Sequence, residues 1–119
     1  MNMDKEEETK LLKEAVRMWG TEAQLWMLIE ESGELIKAVC KMHRASSDKH
    51  TAAVAFLDEL VDVSVMIDQW KLEVGEERFN RARDLKMKRL KEKLFVYSEA
   101  HRTKPEMPWP MHFDLKEFM

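Results

Sequence analysis

The chain has 119 residues, of which 45% are hydrophobic and 36% charged, with three Gly, three Pro, one Cys and a formal net charge of −3. That length fits one domain and hardly two, the scarcity of Gly and Pro favours helices over a turn-rich sheet, and the charge balance excludes a nucleic-acid-binding signature. Cys40 alone excludes an intrachain disulfide, no apolar run approaches the ~18 residues of a membrane span, and the acidic MNMDKEEETK start does not read as a signal peptide. A soluble, cytoplasmic, all-α protein is expected.

The first helix is predicted from about Asp4 to Trp19. Its apolar face is Leu12, Ala15, Val16 and Trp19, and acids crowd its first turn, where the helix dipole favours them. Gly20 ends it, and Thr21 with Gln24 reads as a capping box for a second helix reaching about Arg44. After the polar ASSDKH loop, Ser47 or Asp48 caps a third helix that runs to about Glu73 and stops at Gly75. A fourth, strongly basic helix runs from about Glu76 to Ala100. These elements define a helical domain over residues 1–101. Residues 102–119 form an irregular tail that holds all three prolines and cannot be one helix, and its Trp109, Phe113 and Phe118 suggest packing.

The second helix carries acids where burial is expected. A helix turns ~100° per residue, so Gln24, Met27, Leu28, Glu34, Leu35, Ala38 and Met42 lie within ~60° of Glu31. Glu31 thus falls on the apolar face with Glu34 at its edge. Glu30 lies ~100° away, towards Lys37 and Lys41 on the solvated side.

The third helix, TAAVAFLDELVDVSVMIDQW, is apolar almost all round and is expected to be buried on most sides. Thr51, Asp58, Asp62 and Gln69 form a polar stripe ~40° wide, and Glu59 lies ~60° beyond Asp62. Two helices expected to be antiparallel neighbours therefore each present a carboxylate pair at i and i+3.

Four crowded carboxylates need protonation, cationic partners or a divalent ion, because each isolated buried charge costs several kcal/mol. An all-oxygen set without His or Cys suits a hard ion, Mg²⁺ or Mn²⁺. One E-x-x-E alone is most often an ordinary solvated face. Two such pairs on adjacent helices, inside apolar stretches, are a stronger signal.

WGTEAQLWMLIEESGEL followed by FLDELVDVSVMIDQ resembles the MazG-like all-α nucleoside triphosphate pyrophosphohydrolases, with E-x-x-E at Glu31 and Glu34 and E-x-x-D at Glu59 and Asp62. The KMKRLKEKL segment is also similar to the basic stretch of compact members. The resemblance covers roughly residues 12–95 and leaves out the tail. It implies a bundle-like fold of four to five helices that works as a homodimer or homotetramer. It implies Mg²⁺ (Mn²⁺ as a substitute) held by Glu31, Glu34, Glu59 and Asp62. It further implies hydrolysis of a nucleoside triphosphate to a monophosphate and pyrophosphate, often to remove unwanted nucleotides. Glu31 is the catalytic candidate together with Glu30, which could assist a second metal or activate water although its angle is unfavourable.

Other candidates have competing readings. Lys86 shares a helix face with Phe79, Leu90 and Tyr97, and Arg83 lies ~40° from it; either a phosphate contact or a snorkelling cation accounts for them. Gln24 could bond a nucleobase edge or cap its helix, and Trp26 could stack on a base or belong to the core. Gly33 costs about 1 kcal/mol in a helix relative to Ala, which leaves room for metal and phosphate or for close helix packing. None of His43, His50, His101 and His112 follows a Glu by three residues, which argues against a di-iron or metal-storage bundle. A non-catalytic helical interaction module is the remaining alternative. No nucleic-acid or membrane partner is expected.

Overall fold

The computed structural model describes residues 2–45, 47–100, 102, 115–117 and 119. Among them are four α-helices, α1 (Lys5–Trp19), α2 (Thr21–Arg44), α3 (Lys49–Val74) and α4 (Glu76–Ala100), a 3₁₀ turn at Leu115–Glu117, and no strand. The fold is all-α as expected. Trp109, Phe113, Phe118, the three prolines, His101 and His112 lie outside the described residues. The chain divides into two compact units, Met1–Glu73 with Asp114–Met119 and Val74–Phe113.

The first unit holds α1, α2 and α3. Asp4 caps α1, its Oδ1 accepting the Glu7 N–H at 2.9 Å, with Glu6, Glu7 and Glu8 in the first turn. Gly20 adopts φ +91° and donates its N–H to the Val16 carbonyl at 2.8 Å. It ends α1 and is also the N-cap of α2, without a side-chain cap. The expected Thr21–Gln24 capping box is therefore absent. Thr21 is already helical and cannot act as cap, and Gln24 is 5% exposed, its amide turned inward. Asp48 does cap α3 through Oδ1, 3.3 Å from the Thr51 N.

The core of this unit is small. Met42 near the end of α2 packs with Ala52 and Ala53 at the start of α3, with Ala45 and Phe56 against them. Ala38 and Met66 are also buried. Leu12, Ala15 and Val16 are half-buried on α1, whereas Trp19 is exposed. The expectation that α3 is buried on most sides is not met within the chain, since Val54, Leu57, Leu60, Val61, Val65 and Ile67 are all exposed. Two neighbouring helices cover only part of a helix that is apolar nearly all round.

The second unit holds α4. Gly75 precedes it at φ +101°, a conformation that suits glycine, and its carbonyl accepts the Phe79 N–H at 2.9 Å. Phe79 is half-buried and the rest of α4 is exposed. No helix among the described residues is long and apolar enough to cross a membrane.

Candidate metal centre

Glu31 on α2 and Glu59 and Asp62 on α3 converge. One carboxylate oxygen from each lies within 4.8 Å of the other two. Among the described residues this is the one group of three or more His, Cys, Asp or Glu side chains positioned to share an ion. The helix period explains the convergence. Glu59 and Asp62 at i and i+3 share a face of α3, and the Met42–Ala52–Ala53 contact at the α2–α3 turn fixes which faces meet.

Desolvation and, after it, like charge disfavour ionisation of the two glutamates. Glu31 is held above the usual carboxylate range, first by desolvation and then by Asp62, Glu59, Glu30 and Glu34. Glu59 is raised first by desolvation and then by Asp62, Glu34 and Asp58, against a lowering influence from Lys37. Between Thr51 and Trp70 the sequence has no Lys or Arg. Among the described residues, none of Glu31, Glu59 and Asp62 has an ion-pair partner. Cationic compensation is therefore weak, and protonation or a bound cation remains.

The donor set fits a hard divalent ion. Oxygens on one Mg²⁺ sit at ~2.1 Å and so at most ~4.2 Å apart. Three oxygens on one side of an octahedral ion lie ~3 Å apart, so oxygens now within 4.8 Å of one another would close on it by side-chain rotation. Glu31 and Glu59 are half-buried and Asp62 is exposed, so three carboxylates would hold an ion from one side and leave coordination positions for water and phosphate oxygens.

Glu34 is adjacent but stands outside the triad. It acts on both Glu31 and Glu59 and pairs with Lys37 at 3.7 Å. Glu30 is exposed and raises Glu31 less than Asp62 and Glu59 do but more than Glu34 does. Gln24 is buried on the Glu31 face, two turns earlier. Trp26 is 63% exposed and lies ~140° from Glu31 around α2, so it is not brought to the triad. Arg83 and Lys86 are exposed on α4, in the second unit.

Two residues gain importance that sequence reading did not give them. Lys37 is the cation nearest in effect to the triad, a role hidden because its spacing assigned it to the solvated side. Gln69 is 3% exposed and donates from Nε2 to the Leu12 carbonyl at 3.3 Å, tying α3 to α1, while its Oε1 is buried without a partner among the described residues. Its place on the polar stripe of α3 was the available signal.

No protein-family model, curated protein or solved structure matches the chain.

Proposed function

We propose that the protein is a Mg²⁺-dependent nucleoside triphosphate pyrophosphohydrolase of the MazG-like type, acting in the cytoplasm on the nucleotide pool. The observation that carries this reading is the carboxylate triad Glu31–Glu59–Asp62 drawn from two helices. The paired E-x-x-E and E-x-x-D motifs that supply it support the family resemblance.

Glu31, Glu59 and Asp62 would hold the ion, with Glu34 beside them as a further ligand. A triphosphate carries about four negative charges, and bare carboxylates would repel it. A divalent ion held there would supply positive charge against the phosphate oxygens and acidify the attacking water. The helices position the carboxylates, and Lys37 limits their mutual repulsion. Glu30 is the candidate to accept the proton of the attacking water. Gln24 is the candidate polar contact to a base. Attack at the α-phosphorus breaks the α–β anhydride and releases pyrophosphate. No covalent nucleophile is required.

Self-association belongs to this reading, because apolar side chains on α2 and α3 are left exposed. The same exposure favours a second reading, a non-catalytic helical interaction module. A panel of canonical and modified nucleoside and deoxynucleoside triphosphates with Mg²⁺, read for pyrophosphate, separates the two. Turnover of at least one member that is lost in Asp62→Asn supports the enzyme. No turnover at micromolar protein overturns it.

A further inference from the structure

α2 carries a second stripe, opposite the face that holds Glu31. Leu25, Ile29, Ile36 and Cys40 fall within ~60° of one another, centred ~150° from Glu31. They are open to solvent, with Leu25 46%, Ile29 60% and Ile36 63% exposed and Cys40 also exposed. Spacings of four, seven and four residues keep them on one helix-packing seam.

The positions of the stripe, though not all its residue types, are symmetric about one point. Its midpoint is the Ser32–Gly33 peptide bond. Ile29 and Ile36 each stand three residues from it, Leu25 and Cys40 seven, and Glu22 and His43 ten. A two-fold axis through that midpoint would set Ile against Ile, Leu against Cys, and an acid beside an imidazole at each end. The middle is small. A Cβ on Gly33 would meet nothing within 4 Å, so no contact within the chain requires glycine there. Glycine is nonetheless unfavourable in a helix interior. A second backbone crossing at that point supplies the missing reason, since glycine permits close approach.

We infer that α2 packs antiparallel on α2 of a second copy of this chain, crossing at Ser32–Gly33. The inference rests on the self-association proposed above and not on the proposed reaction. Charge selects α2 over α3 for this contact. Self-pairing of α3 about Val61 and Val65 would set Asp58 opposite Asp68 of the other copy, like charge on like. The α2 contact faces away from Glu31, so both carboxylate triads remain accessible in the dimer. An isologous interface of this kind is self-complementary, with each residue meeting its counterpart twice.

Paired charge substitutions test the register. Wild-type protein should sediment as a dimer or a dimer-based oligomer at micromolar concentration. Ile29→Asp and Ile36→Lys should each weaken the α2 contact at least tenfold while keeping helicity by circular dichroism. An equimolar mixture of the two should recover a heterodimer, because Asp then faces Lys on one side of the axis and Ile faces Ile on the other. Mg²⁺ should stabilise both variants as it does the wild type, which separates failure here from failure of the metal site. A second measurement covers variants that do not fold. A short bismaleimide should join Leu25→Cys chains into dimers but leave the wild type unlinked, since antiparallel packing holds its two Cys40 thiols roughly 22 Å apart. A monomeric wild type, in which the stripe is covered by another segment or partner, overturns the inference. So do undisturbed single variants, a mixture that stays dissociated, or linkage of the wild type.

Discussion

Glu31 on α2 and Asp62 on α3 bring carboxylate oxygens within 4.8 Å of each other, and Glu59 shares the same small volume. Asp62 is the leading charged influence on both glutamates and raises the proton affinity of each. Such a meeting is unfavourable unless something positive enters it. Among the described residues the cation acting on Glu59 is Lys37, which also pairs with Glu34.

Metal should therefore stabilise the protein. Mg²⁺ at about 100 times its Kd adds about 2.7 kcal/mol to the unfolding free energy. Thermal melts with and without Mg²⁺ should show this gain in the wild type and lose it in Glu59→Gln. Without metal, Glu59→Gln should be as stable as the wild type or more so, since a like-charge clash is relieved. A destabilised mutant beside a wild type indifferent to Mg²⁺ would mean that the acids are paired within the protein.

The pH dependence has a definite sign. Folded-state pKa values of Glu31 and Glu59 are raised, so the folded chain binds their protons more tightly than the unfolded chain. Their contribution to stability is complete below the ordinary glutamate range and is lost as pH rises through the raised values. The metal-free advantage of Glu59→Gln over wild type should be present at neutral pH and shrink on acidification, once the wild-type Glu59 is itself protonated. Urea unfolding in EDTA across that range measures it. The Mg²⁺ gain should fade over the same range, as protons compete for the carboxylates.

Bond choice provides a third check. With ¹⁸O-labelled water, the label should appear in the nucleoside monophosphate and not in pyrophosphate. Asp62→Asn should lower turnover about a thousandfold, because a metal supplies several kcal/mol of charge stabilisation and each 1.36 kcal/mol is tenfold in rate. Release of single phosphates contradicts the assigned attack at the α-phosphorus.

Gln69 makes a structural prediction. Its Oε1 is buried without a partner among the described residues, while Nε2 reaches the Leu12 carbonyl. Leaving a buried acceptor unsatisfied costs about 1–3 kcal/mol, and replacing a polar group with an apolar one of similar shape can recover part of that. Gln69→Met loses the bond to Leu12 but also removes the unsatisfied acceptor, so it should cost less than about 1 kcal/mol in chemical denaturation. A loss above about 2 kcal/mol would show that the amide oxygen is fully satisfied in solution.

Local chemistry settled most of the fold. Gly20 and Gly75 mark the helix boundaries because each takes a positive φ, and Asp4 and Asp48 cap because their side chains reach N–H groups three residues ahead. The same period placed Glu31 on the inner face of α2 and grouped Asp62 with Gln69 on α3. What spacing along one helix could not decide is how two helices rotate against each other. That rotation, set at the Met42–Ala52–Ala53 contact, brought Glu31, Glu59 and Asp62 together and left Glu34 to Lys37. It also turned Gln24 inward, where a capping role was expected, and left Trp26 in solvent. Periodicity reports which residues share a side of one helix, whereas a site built across two helices depends on side-chain packing between segments distant in the chain. For α3, composition demanded burial on nearly every side, and only the tertiary structure showed that the chain's own helices cover part of it.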